Sequence, residues 1–212
     1  MAEPPPVRDA RLLAEETIRG GDKSPAAFAR LIGLLLRLTV VKNPQGGRII
    51  WQRACSGSRK ATTVVISGWS KTNALIPLNN GGFLRLAMTL SMDEHDERGR
   101  FLKVAKSIYQ YQLDEGDEWV FRYDYAREPG NEHPPSHLQI WGNLIAEGAL
   151  PKTKPLEGVH FPSRRISLES VLRLLAVDFG IRTNKPADVW RAALAASEEP
   201  WLRVAREGNA TR

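Results

Sequence analysis

Residues 83–92 read FLRLAMTLSM, and this alternation constrains the fold more than any other stretch of the chain. An extended chain sends successive side chains to opposite faces. Leu84, Leu86, Met88, Leu90 and Met92 then share one side, and Arg85, Ala87, Thr89 and Ser91 the other. Such a strand belongs in a sheet with one covered and one polar face. The flanking segments keep the same period: RIIWQRAC (48–55) and TTVVISGW (62–69) before it, FLKVAKSIYQYQ (101–112) and EWVFRYDY (118–125) after it. LDEGDE joins the last two as a tight turn, DEHDERGR (93–100) reads as another turn, and HLQIWG and VHF read as two further short strands. The expected sheet is antiparallel and meander-like.

Helical spacing brackets these strands. A first helix is expected over residues 7–19, ended by Gly20-Gly21. Ser24 as N-cap and Pro25 at the first helical position start a second, in which Phe28, Leu31, Ile32, Leu35 and Leu38 form an apolar stripe. Asn43-Pro44 and Gly46-Gly47 close it. Ser167 caps LESVLRLLAVDFG, with Leu168, Val171, Leu172 and Leu175 on one face and Gly180 as the stop. Pro186 opens a further helix through about Ser197, which Pro200 restarts as WLRVAREG. The fold class expected is α+β: an antiparallel meander-like sheet, with two N-terminal helices and C-terminal helices packed on one face. Residues 1–45 form a helical arm, part of the same domain or an appendage to it, and residues 46–212 the α+β domain.

Bulk composition bounds the setting. Apolar residues at 42% and charged residues at 25% suit a globular chain of 212 residues. The longest apolar run, LIGLLLRLTVV, is broken by Arg37 and falls short of the ~18–20 residues a membrane span needs. The start, MAEPPPVRDARLL, lacks the basic-then-apolar order of a signal peptide, so a cytoplasmic protein is expected. Cys55 is the single cysteine, which rules out an intrachain disulfide and a thiolate zinc cluster and leaves it as a buried strand residue. Residues 1–60 hold 11 Lys and Arg against 5 Asp and Glu, whereas the remainder is balanced at 19 against 19. The basic end, with Arg48, Arg53, Arg59 and Lys60, suits RNA or another nucleic acid, or an acidic partner protein, as well as a solvated surface.

The chemistry-bearing residues concentrate in FRYDYAREPGNEHPPSHLQIWG (121–142) and GVHFPSRR (158–165). On EWVFRYDY, alternation puts Trp119, Phe121, Tyr123 and Tyr125 on one side and Val120, Arg122 and Asp124 on the other. Arg122 and Asp124 can pair as a plain salt bridge, or Arg122 can grip a phosphate through its planar fork while Asp124 orients it or a base. His133 and His137 flank two prolines, so an extended path separates them by roughly 13 Å, and with His160 they make a three-histidine metal site only if the chain bends. The acidic DEHDE around His95 reads as a hairpin tip. A metal-free nuclease is easier to assemble. Internal attack by a 2′-hydroxyl needs a base, an acid and a cation for the developing charge. His137 and His160 can move protons, Tyr109, Tyr111 or Tyr123 can donate hydrogen bonds, and Arg122, Arg164 or Arg165 can hold the phosphate. No phosphate-binding loop, dinucleotide fingerprint or nucleophile elbow occurs, so no cofactor is expected.

The ordered series YQYQ, FRYDYA, HPPSHLQ, HFPSRRISLESVLRLL resembles the TumE-like toxins, over roughly residues 101–180. In that family a YxYQ strand leads into FRYDN, a proline- and histidine-containing loop follows, and a helix with S-L-x-x-V-L closes the domain. Tyr125 stands where the family has Asn, and the loop here is longer and less rich in histidine. The resemblance implies the toxin half of a toxin–antitoxin or related phage-defence module, held in check by a helix-turn-helix-type antitoxin.

Two function classes follow. One is a metal-independent endoribonuclease, a hydrolase acting through His137, His160, Arg122, Tyr123 and Asp124, with Arg164 and Arg165 as phosphate holders. The other is a non-enzymatic nucleic-acid- or protein-binding subunit of a regulatory or defence complex. The enzyme requires at least one of the histidines within a few ångströms of Arg122; the binding module requires only a continuous basic surface.

Overall fold

The computed structural model describes residues 3–55, 62–66, 75–95, 99–116, 118–128, 134–141 and 158–210, with backbone alone at 53–55, 62–66, 93–95, 99–100 and 205–210. The fold is α+β. Helices α1 (Pro5–Arg19) and α2 (Ser24–Leu38) precede strands β1 (Trp51–Cys55), β2 (Thr62–Ile66), β3 (Leu75–Pro77), β4 (Phe83–His95), β5 (Gly99–Gln112), β6 (Trp119–Ala126), β7 (Ser136–Ile140) and β8 (Phe161–Pro162). Helices α3 (Leu168–Val177) and α4 (Ala187–Ala210) follow. All pairings among the described strands are antiparallel, in the order β1-β2-β4-β5-β6-β7-β8. β3 pairs with β4 beyond the end of β2, on the same edge.

The β4–β5 hairpin is the spine of the sheet. Leu84, Leu86, Met88 and Leu90 are buried, with exposure of 4% or less, while Arg85 on the opposite face is exposed. Helices α1, α2, α3 and α4 cover the apolar face. Val7, Leu13, Leu31, Leu35, Leu172 and Leu194 join the strand residues in one core, so the N-terminal helices share the core of the sheet. Burying a Leu side chain of this kind contributes about 1.5–3 kcal/mol, which is why the period-two and helical stripes dominate the fold. The C-terminal helices are tied back by Asn184, whose Nδ2 donates to the carbonyls of Val41 (2.8 Å) and Arg37 (3.2 Å). Asn79 Nδ2 in turn donates to Arg182 O and Asn184 Oδ1.

Several local expectations change. α2 begins at Ser24 itself, because a 3₁₀ turn (Gly21–Lys23) runs straight into it and gives Ser24 helical angles of φ −50°, ψ −42°. Ser24 therefore lacks the extended backbone an N-cap needs, and its buried hydroxyl has no hydrogen-bond partner among the described residues. The Ser167 cap forms, its Oγ accepting from Ser170 N at 3.1 Å, and Gly180 (φ 63°) ends the turn after α3. α4 continues through Pro200 without restarting. The DEHDERGR segment extends the hairpin, with Asp93, Glu94 and His95 paired to Phe101, Arg100 and Gly99. The short β3 strand, Leu-Ile-Pro, adds to the sheet edge where a proline costs no ladder bond.

Two register shifts shape the sheet. One leaves Ala105 unpaired in the β4–β5 ladder, its carbonyl accepting from Arg127 N at 2.9 Å. The other, between Tyr111 and Gln112, makes Val120 the extra residue of β6 and sets Trp119 opposite Gln112. Val120 O accepts from Trp141 N, and Val120 packs on the core. Trp119 is thereby turned away from Phe121, to the polar face, where its ring meets Trp141. Strict alternation had put it with Phe121.

Candidate functional site

Antiparallel register converts sequence spacing into rows across the polar face. Arg85, Gln110, Arg122 and Gln139 are paired in succession on β4, β5, β6 and β7. Two residues along each strand, Ala87, Ile108, Asp124, His137 and Pro162 form the next row, on β4 through β8. Rows two residues apart lie roughly 6.6 Å from each other, within reach of long side chains. Arg122 and Asp124 share a face because they are two apart on β6. His137 sits beside Asp124 because β7 pairs with β6, and His160 reaches His137 as a diagonal neighbour across the β7–β8 pairing.

Four side chains converge. Arg122 Nη2 donates to Asp124 Oδ1 at 3.1 Å, and Arg122 Nε lies 2.7 Å from Oδ2 as a close ion contact outside hydrogen-bond geometry. His137 Nε2 stands 3.7 Å from the same Oδ2. The His137 ring meets the His160 ring edge to face, with centroids 4.5 Å apart. On its other side, His137 Nδ1–H donates to the carbonyl of Pro134 at 3.0 Å. That bond fixes the tautomer: a neutral His137 carries its proton on Nδ1 and presents the Nε2 lone pair to the Asp124 side. His137 is buried and His160 half-buried, whereas the Arg122 side chain keeps 33% of its surface in solvent. The arrangement is a guanidinium held by a carboxylate, next to two imidazoles in contact. It can bind an anion and move protons within one small volume.

Other candidates lie elsewhere. Tyr123 points to the helix side, where burial raises its hydroxyl pKa and where it lines a cleft of about 320 Å³ with Ile166, Ser170 and Leu174. Tyr109 and Tyr111 are core residues on that side, and Asn80 donates to the Tyr111 hydroxyl at 2.7 Å. Arg165 also stands there, its guanidinium 5.0 Å from the centre of the Tyr125 ring, while Arg164 is exposed in the β8–α3 connection. Arg48 is exposed before β1, and Arg53 lies on β1, four strands from Arg122 in the sheet order. Arg59, Lys60 and His133 fall outside the described residues, so the three-histidine site has two described members. Among the described residues no group of three or more His, Cys, Asp or Glu side chains is arranged to hold a metal ion. No helix among them is long and apolar enough to cross a membrane.

A second polar cluster joins α3 to α4, with Glu169 and Ser197 buried and Arg173 and Glu198 half-buried. Ser197 Oγ donates to Glu169 Oε1 at 2.6 Å, and Arg173 grips Glu198 through both amino groups. Burial pushes the Glu169 carboxyl pKa up, against the hydrogen bond from Ser197. Burial raises the Tyr109 hydroxyl as well, with Glu169 adding to the effect.

Gln110, Gln139 and Arg85 were not singled out in the sequence, although the QYQ of β5 and the LQI of β7 already placed both glutamines on the Arg122 face. No protein-family model, curated protein or solved structure matches the chain.

Proposed function

We propose that the protein is a toxin-like, metal-independent endoribonuclease, with Arg122, Asp124, His137 and His160 as its working site. The observation that carries this reading is the contact between the two imidazoles beside the Arg122–Asp124 pair on the polar face of the sheet. Cleavage without a metal needs three functions from side chains, and those four residues supply each of them. One imidazole takes the proton of a ribose 2′-hydroxyl as its oxygen bonds to the adjacent phosphorus. The other gives a proton to the departing 5′-oxygen as the P–O5′ bond breaks. The products are a 2′,3′-cyclic phosphate and a 5′-hydroxyl.

Arg122 holds the phosphorane charge. Its Nε–Nη2 edge is turned to Asp124, which leaves the Nη1 amino group for a phosphate oxygen. Asp124 is the orienter, fixing the guanidinium and facing His137 Nε2. Exposed Arg164, shortly after His160 in sequence, serves the neighbouring phosphate. The resemblance over residues 101–180 supports the toxin half of a toxin–antitoxin or defence module, working in the cytoplasm with an antitoxin as its protein partner.

The test is cleavage of single-stranded RNA by purified protein in the presence of EDTA. His137→Ala and His160→Ala should each lower the rate by about 10²–10⁴-fold, the usual share of positioned acid–base catalysis, while circular dichroism stays unchanged. Intact RNA with folded wild-type protein would replace the enzyme by the binding module.

A further inference from the structure

The polar face carries a feature that proton transfer does not use. Beyond the Arg85–Arg122 row, on the side away from His137, the register sets Phe83, Gln112 and Trp119 in line, with Trp141 at the end of β7. The Trp119 and Trp141 rings meet edge to face with centroids 5.6 Å apart. Neither belongs to the core, and Trp141 is 40% exposed. Tryptophan turned out of a core is costly in apolar surface, and here a β-bulge does the turning. The supporting turn is built for it: Gln112 Nε2 donates to the carbonyls of Asp114 (2.8 Å) and Gly116 (2.9 Å), and Gln110 Nε2 donates to Gln112 Oε1 (2.9 Å). The two buried glutamines thus brace the platform, and contact with a ligand falls to the exposed side chains.

We infer that Trp119 and Trp141 form a base-stacking subsite for single-stranded RNA, an inference that rests on the ribonuclease reading of the same face. Charge chooses the occupant. Within the four rows from Trp119 to Lys106, the cations Arg85, Arg122 and Lys106 meet one carboxylate, Asp124, and that carboxylate is bound to Arg122. A tryptophan pair outside the core, next to a cationic row, fits an unpaired base followed by its phosphates, because stacking on a ring face is open to any base once it leaves a duplex. Trp141 lies four residues from His137 along β7, roughly 13 Å away, so the stacked base belongs to a nucleotide adjoining the cleaved bond. Gln139 and its cross-strand neighbour Arg122 lie between the two and line the backbone's path, with Arg85 farther along the same row on β4. The acidic turn with Asp114, Glu115 and Glu118 closes the track at the tryptophan end by repelling further phosphates.

The experiment measures fluorescence anisotropy of a short single-stranded oligoribonucleotide carrying 2′-O-methyl groups, which cannot be cleaved, alongside cleavage of the unmodified strand. Trp141→Ala should weaken binding by roughly 10- to 100-fold, the ordinary worth of one stacked base, and Trp141→Phe should retain most of the affinity. For cleavage, the rise in KM of Trp141→Ala should exceed its fall in kcat. Duplex of the same sequence should bind more weakly and respond less to the substitution. Wild-type cleavage with unchanged affinity and KM in Trp141→Ala would overturn the stacking subsite alone. Trp141-dependent binding without cleavage of the unmodified strand would overturn the ribonuclease reading and leave the subsite standing. Neither binding nor cleavage by folded wild type would overturn both.

Discussion

At the scale of single residues, Asp124 does the most with the least. One carboxylate meets the Nε–Nη2 edge of the Arg122 guanidinium and faces His137 Nε2. The pair is partly solvent-exposed, so its worth to stability is small, about 0–1 kcal/mol. Its worth to geometry is larger, because a planar fork held along one edge presents its remaining amino group in a fixed direction. Asp124→Asn keeps the shape and removes the charge. It should cut kcat for RNA cleavage by about 10-fold or more, with thermal unfolding shifted little, since Asn offers Arg122 a weaker acceptor. Equal activity of the Asn variant would show that the charge of Asp124 plays no part. Tyr123 is the contrasting case. It neighbours both residues in sequence, but the pleat puts it behind the sheet, where it packs beneath α3. Alternation alone was enough to separate it from Arg122 and Asp124.

At the scale of elements, the α3–α4 contact contains a buried titratable group. Glu169 is buried on α3 and takes a hydrogen bond from Ser197 on α4. Its folded-state pKa is raised above the usual 4.5, first by burial and then by the charge of Glu198. A raised carboxyl pKa stabilises the fold fully below the unfolded value, and that stability is lost as pH rises through the folded value. Glu169→Gln retains an acceptor for Ser197 and removes the titration. The urea midpoint of the wild type should therefore fall as pH rises above the usual glutamate range, while that of Glu169→Gln changes less; parallel curves for the two proteins would contradict the assignment. Elements also set the limits of sequence reading here. The α3 cap and stop were legible because Ser167 and Gly180 act on their immediate neighbours. The start of α2 was not, because the preceding 3₁₀ turn had already made Ser24 helical. The bulge at Val120 was hidden too, since it depends on how Gln112 closes the β5–β6 turn, and with it the true side of Trp119.

At the scale of the whole molecule, the four described helices cover one face of the antiparallel sheet, and the polar rows stand on the other. The covered face was readable from period two in β4 and from the helical stripes. The site was half readable. Arg122 and Asp124 are two apart on one strand, so their pairing followed from the sequence. The meeting of His137 with His160 did not, because it needs β7 and β8 to pair across twenty intervening residues. The basic first sixty residues drew attention to Arg48 and Arg53, yet both stand toward the opposite edge of the sheet from the histidines. What the fold concentrates on its polar face is a tryptophan pair, the row with Arg85 and Arg122, and the two imidazoles of His137 on β7 and His160 before β8, in that order along the strands. The most direct test of that account is the chemistry of the cut ends. Single-stranded RNA treated with the purified protein in EDTA should carry 2′,3′-cyclic phosphate and 5′-hydroxyl termini, and one 2′-deoxy substitution should block the cut at that position. Termini with 3′-hydroxyl and 5′-phosphate groups, or cleavage that ignores the missing 2′-hydroxyl, would contradict it.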